Sequence, residues 1–239
     1  EVETVRRGLE LQVGRFPIAD TIVCRSRAVA APKGDPDGFT AALRGCELAS
    51  WRRRGKYLVA NLERDGAAAG ELGVHLRMTG QFQWLQREER PPCPHTRVRF
   101  LSEQHELRFV DVRSFGELWF VPLGTPTEEV ITGLTRLGPE PFSEEFNANY
   151  LRKRLKGSSR PIKNALLDQA LVAGVGNIYA DESLFMAGIR PHTPAGSVSA
   201  ARLEKLCEAL VKVLELSIGA GGTTFSDFRD LTGTNGNYG

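Results

Sequence analysis

Leu166-Leu167-Asp168-Gln169-Ala170-Leu171-Val172-Ala173-Gly174-Val175-Gly176-Asn177-Ile178-Tyr179-Ala180-Asp181-Glu182 decides how the second half of this chain folds. One helix ends, a glycine-containing turn follows, and another helix begins. Gly174 and Gly176 suit a close backbone approach, because a side chain there would block contact. The amides that open the following helix point outward and suit an anion. A plain helix-helix turn would read the same way. A dinucleotide fingerprint would not, since its third glycine position holds Tyr179 and no strand precedes the motif.

On either side of this stretch the residues keep a helical period. Leu203, Leu206, Cys207, Leu210 and Leu214 form one apolar stripe. The patterns predict helices over 162–171 and 177–187, and Ser143-Glu144-Glu145-Phe146 has the form of a capped helix start. Further upstream, Pro122, Gly124, Pro126, Gly138, Pro139 and Pro141 punctuate a segment with little periodicity, which predicts a linker over 122–141. Before it the period is two. Leu58, Ala60 and Leu62 share a side; Leu72, Val74, Leu76 and Met78 alternate; Val98 and Phe100 alternate with Arg97 and Arg99; Leu107, Phe109 and 118–121 continue the pattern. Val2, Val5 and Leu9 predict an opening helix ended by Gly14, and a short helix is expected over 38–43. The expected fold class is α+β. Residues 1–121 form an antiparallel β-sandwich or barrel with flanking helices, and 142–239 form a helical domain. Residues 219–239, rich in Gly, Thr and Asn, read as a loop, functional or mobile.

Composition narrows the partners. The chain has 239 residues, 41% hydrophobic and 25% charged, the balance of a soluble globular protein. No apolar run approaches the roughly 18 residues of a membrane span, and no charged-then-apolar leader opens the sequence. The net charge of +2 permits a nucleic-acid partner without demanding one. Basic residues bunch at Arg6-Arg7, at Arg52-Arg53-Arg54 with Lys56, and from Arg152 to Lys163, although solvated faces carry such bunches too. Cys24, Cys46, Cys93 and Cys207 are scattered and form no C-x-x-C pair, so they propose no zinc site. Free thiols and a cytoplasmic location are expected.

Several motifs stand in a fixed order: Glu1-Val2-Glu3-Thr4-Val5-Arg6-Arg7-Gly8-Leu9, Arg54-Gly55-Lys56-Tyr57-Leu58, His75-Leu76-Arg77-Met78-Thr79-Gly80, Asp111-Val112-Arg113-Ser114-Phe115-Gly116, Leu137-Gly138-Pro139-Glu140-Pro141, Pro161-Ile162-Lys163, and then the turn quoted above. Together they resemble the formamidopyrimidine-DNA glycosylase family. The resemblance implies a β-sandwich, a helical domain bearing a helix-two-turn-helix, and repair of duplex DNA that carries an oxidised purine opposite cytosine. It implies a bifunctional glycosylase and lyase acting as a monomer away from membranes. In that family a flipped nucleotide is attacked at C1′ by an N-terminal proline amine. A terminal amine, with an unperturbed pKa of about 8 against about 10.4 for lysine, is the better neutral nucleophile near pH 7. The Schiff base formed then permits β- and δ-elimination.

By the same resemblance, Lys56 would donate a proton in β-elimination and approach the lesion's phosphate, and Glu1, with Glu3 behind it, would line the pocket. Met78, Arg113 and Phe115 would fill the slot left by the flipped base, with Arg113 facing the orphaned cytosine. His95, Arg160, Lys163 and Asn177 would contact DNA phosphates, and Arg113 would contact the DNA as well. Thr223, Thr224 and Tyr238 would belong to a lesion-capping loop. His75 fits a packing role equally well.

The family's leading Pro-Glu is absent from the quoted residues, as is its four-cysteine zinc finger. The expectation is therefore no metal or cofactor on these residues, one structural zinc in the full-length protein, and no activity for this stretch alone. Two other readings compete: a pyrimidine-lesion glycosylase of the same family, and a non-catalytic module for damaged DNA. A ribosome- or RNA-binding helical module would leave the β half unexplained.

Overall fold

The strand-forming residues of the first half pair into two sheets that close over one apolar core. The computed structural model describes residues 1–222 and 229–238. In chain order the strands are β1 (Phe16–Pro17), β2 (Asp20–Val23), β3 (Val29–Ala31), β4 (Glu47–Arg54), β5 (Tyr57–Arg64), β6 (Ala67–His75), β7 (Gly80–Gln86), β8 (Thr96–Leu101), β9 (His105–Asp111) and β10 (Glu117–Val121). One sheet has the order β1-β4-β5-β6-β10-β3 and the other β2-β8-β9-β7. Neighbours run antiparallel except β10 and β3, which are parallel. The register sets Leu58 opposite Val74 and Ala60 opposite Leu72, so the alternating apolar residues share the inner face. Phe82, Phe100, Leu107 and Phe109 of the second sheet are buried in the same cluster. Trp51 and Phe82 meet edge to face at 6.0 Å. Burying each such side chain contributes roughly 1.5–3 kcal/mol.

Two helices flank the sheets. α1 (Val2–Gly8) buries Val5 and runs into a π-helical segment, Leu9–Val13, that ends at Gly14 with φ +61°. α2 (Pro36–Leu43) starts two residues before the predicted 38–43. Pro36 suits its first turn, and the Asp35 side chain accepts the Gly38 N–H at 2.8 Å.

The alternation misleads at Arg97. It predicts an outward side chain, yet Arg97 is buried, donating to the carbonyl oxygens of Asp111 (2.8 Å) and Pro94 (3.0 Å). Arg108 is buried as well, with its Nε 2.6 Å from Glu106 Oε1, while Arg99 approaches the same carboxylate at 2.8 Å. Burial opposes ionisation of Glu106. The hydrogen bonds from the two guanidiniums outweigh it and hold the carboxyl down at about 2.

The chain forms two compact units, Glu1–Thr132 with Ala220–Gly239, and Gly133–Gly219. This differs from the expected 1–121, 122–141 and 142–239. The first part of the expected linker is ordered on the β unit: it forms α3 (Thr127–Val130), and Ile131 is buried against Gly73, where a Cβ would collide with it. The tail also joins the β unit. Leu231 is buried in the sandwich core, and its carbonyl accepts the Trp84 N–H at 3.2 Å.

The second unit contains α4 (Ala148–Leu155), α5 (Ile162–Leu166), α6 (Asn177–Met186) and α7 (Ala200–Gly219) around Leu151, Ile162, Leu166, Val172, Leu184, Leu206 and Leu210. Ser143 does not start a helix. Asn147 caps α4 instead, its side chain accepting the Tyr150 N–H at 3.0 Å. α5 is shorter than the expected 162–171, because the Asp168 side chain takes the Ala170 N–H at 3.0 Å and turns the chain. Among the described residues no helix is long and apolar enough to cross a membrane.

Candidate nucleic-acid interface

Lys56 sits in the tight turn between β4 and β5. Arg54 pairs with Tyr57, leaving Gly55 and Lys56 as the two loop residues. Gly55 has φ +56°, which a first loop residue of a II′ turn requires. The Arg53 guanidinium donates to the Gly55 carbonyl at 2.9 Å and to Glu3 at 3.2 Å. Glu3 also accepts from Arg6 and Arg7. Burial works against its charge, but the Arg6, Arg7 and Arg53 hydrogen bonds bring its pKa to about 2. Glu3 is thus an anchor for the lysine turn, a role the sequence reading did not give it. Burial lowers the Lys56 pKa, and the negative charge of Glu1 opposes that shift only in part. Glu1 occupies the N-cap position of α1 without a side-chain cap bond. His75 lies behind the turn, with its ring 4.6 Å edge to face from Tyr57. Burial, then Arg77 and Lys56, push its pKa down to about 3, and its Nδ1 accepts the Arg77 N–H at 3.0 Å. It is a neutral packing histidine.

The three expected stack-filling residues come together on two turns of the first unit. Met78 lies between β6 and β7; Arg113 and Phe115 lie between β9 and β10. Met78 leaves the alternation that buries Leu72 and Val74: it is 68% exposed, and Phe115 is 45% exposed. Arg113 Nη1 is 3.2 Å from Met78 Sδ, and its guanidinium lies 5.4 Å from the Phe115 ring centroid. Each turn forces a non-glycine residue into the left-handed region: Arg77 at φ +55° and Ser114 at φ +57°. Such backbone costs about 1–3 kcal/mol per residue and marks positions held by their surroundings. Each turn also ends on a glycine that close approach demands. A Cβ on Gly80 would strike the Leu76 carbonyl, and one on Gly116 would lie 2.6 Å from Phe109 Cζ. Val112 is exposed as well, an apolar tip residue that the sequence reading passed over.

His95 is exposed on the loop before β8, with its Nδ1 3.5 Å from Arg97. A cleft of about 940 Å³ lined by Arg15, Trp84 and His105, among others, includes none of the expected site residues.

In the second unit the quoted turn is folded by Gln169, another residue the sequence reading missed. Its side chain accepts the Gly174 N–H at 2.9 Å and donates to the carbonyl oxygens of Val175 (2.9 Å) and Leu167 (3.1 Å). Gly174 takes φ +89°. Gly176 is the N-cap of α6 and brings no side-chain acceptor to the first-turn amides, and Asn177 at the helix start is exposed. Lys163 Nζ lies 2.8 Å from Asp181 and Arg160 Nη1 3.0 Å from Asp168. Exposed pairs of this kind contribute about 0–1 kcal/mol, weak enough for a phosphate to displace the carboxylate.

Tyr238 is half-buried, with its N–H donating to the Gly222 carbonyl at 3.0 Å. Thr223 and Thr224 lie outside the described residues.

Two family models match: the formamidopyrimidine-DNA glycosylase N-terminal domain over residues 1–118, and the formamidopyrimidine-DNA glycosylase H2TH domain over residues 137–229. Curated relatives are similar throughout. The formamidopyrimidine-DNA glycosylase of Parasynechococcus marenigrum (strain WH8102) is 63% identical over all of this chain and 84% of its own length. That of Prochlorococcus marinus (strain MIT 9313) is 59% identical, covering 100% of this chain and 85% of its own. Among solved structures, the complex of Lactococcus lactis Fpg with DNA containing an abasic site has a TM-score of 0.86 at 30% identity, covering 98% of this chain and 83% of that one. A variant of that Fpg, bound to DNA containing Fapy-dG, matches with a TM-score of 0.86 at 31% identity, covering 98% and 83%.

Proposed function

Because the chain belongs to the formamidopyrimidine-DNA glycosylase family, we propose that it excises oxidised purines, 8-oxoguanine and formamidopyrimidines, from duplex DNA. The observation that carries this reading is the exposed trio of Met78, Arg113 and Phe115 brought together on two turns. Extruding a nucleotide costs a few kcal/mol of stacking and pairing. Two apolar side chains standing in solvent lose nothing by entering the vacated slot, and a guanidinium between them offers donors to the acceptor edge of cytosine. Phosphate anchorage falls to His95, Arg160, Lys163 and Asn177, which position the duplex without reading its sequence.

Strand cleavage belongs to the same proposal. In the full-length protein a terminal amine attacks C1′ as the base leaves. The Schiff base then makes the C2′ proton acidic, its loss expels the 3′ phosphate, and a second elimination expels the 5′ phosphate. Lys56, with its ammonium form disfavoured by burial, gives up a proton readily to a departing oxygen. Glu1 beside it keeps part of the positive charge in place.

A structural zinc in the full-length protein remains part of the reading, but the described residues do not fit one. Among the described residues, Cys24, Cys46, Cys93 and Cys207 are separate free thiols, and no group of three His, Cys, Asp or Glu residues is placed to hold a metal ion.

The test is cleavage of duplexes by the full-length protein, with 8-oxoguanine or thymine glycol opposite cytosine or adenine, followed by borohydride trapping. Faster cutting of 8-oxoguanine opposite cytosine and a covalent adduct are expected. Preference for thymine glycol would transfer the chain to the pyrimidine branch, and absence of any adduct would leave only a damage-binding module.

A further inference from the structure

Asp111, at the end of β9, is buried to 1% exposure, and its side chain holds two turns at once. One oxygen, Oδ1, accepts the Thr79 hydroxyl from the turn that carries Met78. The same oxygen accepts the Arg113 N–H at 3.2 Å, while Oδ2 accepts the Gly116 N–H at 2.7 Å. Thr79 completes the ring: its Oγ1 accepts the Arg113 N–H at 3.0 Å as it donates to the carboxylate. The backbone of Asp111 reaches a third segment. Its N–H donates to the His95 carbonyl at 2.9 Å, and its own carbonyl accepts from Arg97 Nε at 2.8 Å.

We propose that Asp111, acting with Thr79, is the positioning residue that locks the Met78 turn to the Arg113–Phe115 turn, so that the stack-filling trio enters DNA as one preformed unit. The inference rests on the role proposed above for that trio. Its physical basis is the cost of ordering. Two independent turns would each have to be immobilised on insertion, and that entropy would be subtracted from the interactions that hold the base out. A buried carboxylate has no water to compete for its acceptors, so its hydrogen bonds settle the relative position of both turns before DNA arrives. The strained residues Arg77 and Ser114 flank this ring, one on each turn, as expected where surroundings over-determine the backbone. Glycine is needed at 116 for the same reason, since a Cβ there would come within 3.0 Å of Asp111 Oδ2.

The variants that separate this role from plain packing are Thr79→Val, Thr79→Ser and Asp111→Asn in the full-length protein. Valine keeps the shape of threonine and removes the hydroxyl; serine keeps the hydroxyl. In Asp111→Asn an NH₂ group faces either the Gly116 N–H or the Thr79 and Arg113 donors, whichever way the amide lies. Three measurements are made: the rise of 2-aminopurine fluorescence next to the lesion as the base is extruded, single-turnover excision of 8-oxoguanine, and affinity for undamaged duplex. Thr79→Val and Asp111→Asn are expected to slow extrusion and excision about tenfold, as the loss of a buried hydrogen bond predicts. Affinity for undamaged duplex should stay within about twofold, because the phosphate contacts lie elsewhere. Thr79→Ser should extrude nearly as fast as the parent.

If Thr79→Val and Asp111→Asn extrude at the parental rate while Met78→Ala and Phe115→Ala are slow, the trio keeps its role and the clamp is refuted. If Met78→Ala and Phe115→Ala extrude normally, the trio's role fails and the clamp falls with it. A matching loss of duplex affinity and extrusion, or a serine variant no better than valine, would reduce the ring to ordinary structural support and overturn the proposal.

Discussion

Lys56 and His75 show how one small region handles two titratable groups differently. Both have pKa values lowered first by burial. Lys56 is held in that environment although its charge is disfavoured there, and a residue that opposes stability is a functional candidate. Replacing it with methionine, similar in length and apolar, should leave the thermal midpoint unchanged or raised. The same variant should slow strand cleavage by roughly 10²-fold, the low end of what a proton donor contributes. A lowered midpoint together with normal cleavage would contradict this assignment. His75 makes a statement about pH. Its folded value is about 3 against an ordinary 6.5. Between those values the unfolded chain binds the extra proton, so stability is fully present above about 6.5 and declines as pH falls toward 3. Acid titration of the midpoint in His75→Phe should be flatter in that window than in the parent. Equal slopes would mean that other groups carry the acid response, and Glu3 and Glu106, both near 2, are separable because they act mainly below about 4.5.

At the scale of elements, caps and turn-folding side chains decide where helices begin and stop. Asn147 and Gln169 are a useful contrast in the second unit. Asn147 caps α4 and also donates to the Glu144 carbonyl at 2.9 Å, both local contacts, so Asn147→Ala should lower stability by about 1 kcal/mol and leave DNA affinity unchanged. Gln169 makes three backbone hydrogen bonds across the 167–175 turn. Gln169→Ala leaves several turn groups without a partner, for about 1–3 kcal/mol each where they stay dry. Duplex affinity should fall as well, because the proposed phosphate contact at Asn177 sits at the start of α6, which this turn positions. Melting and duplex titration of the two variants side by side check the pair: unchanged affinity in Gln169→Ala would detach the turn from DNA binding. The true α4 cap was hidden from sequence reading because Ser143 offers the same local pattern as Asn147. Both have an acceptor side chain ahead of an apolar residue, and only the packed chain selects one.

For the whole molecule, charge placement matters more than net charge. A total of +2 is nearly neutral, yet each unit carries its own phosphate candidates: Lys56 and His95 in the first, Arg160, Lys163 and Asn177 in the second. Each neutralised phosphate contributes about −0.9 to the slope of log affinity against log salt. The three cationic side chains Lys56, Arg160 and Lys163 therefore predict a slope of about −2.7, and Lys163→Ala should make it shallower by about 0.9. A flat salt response would reject phosphate contacts as the source of affinity.

Local features are legible in any short window of residues. The period-two runs mark β5, β6, β8, β9 and β10 but not β1 to β4 or β7, the 3.6-residue stripe of Leu203 to Leu214 marks the long helix, and the glycines after Met78-Thr79 and Phe115 mark the turns. The ordered motifs supplied the family, and with it the candidate site residues, many of which no periodicity singles out. Packing settles that Arg97 and Arg108 lie inside, that Ile131 leaves the linker, that Leu231 joins the sandwich core, and that Asp111 ties two turns together. The reason is one of range. Backbone preference and amphipathic period act over a few residues, whereas burial and the partner of a polar group depend on segments that meet only after the chain has packed.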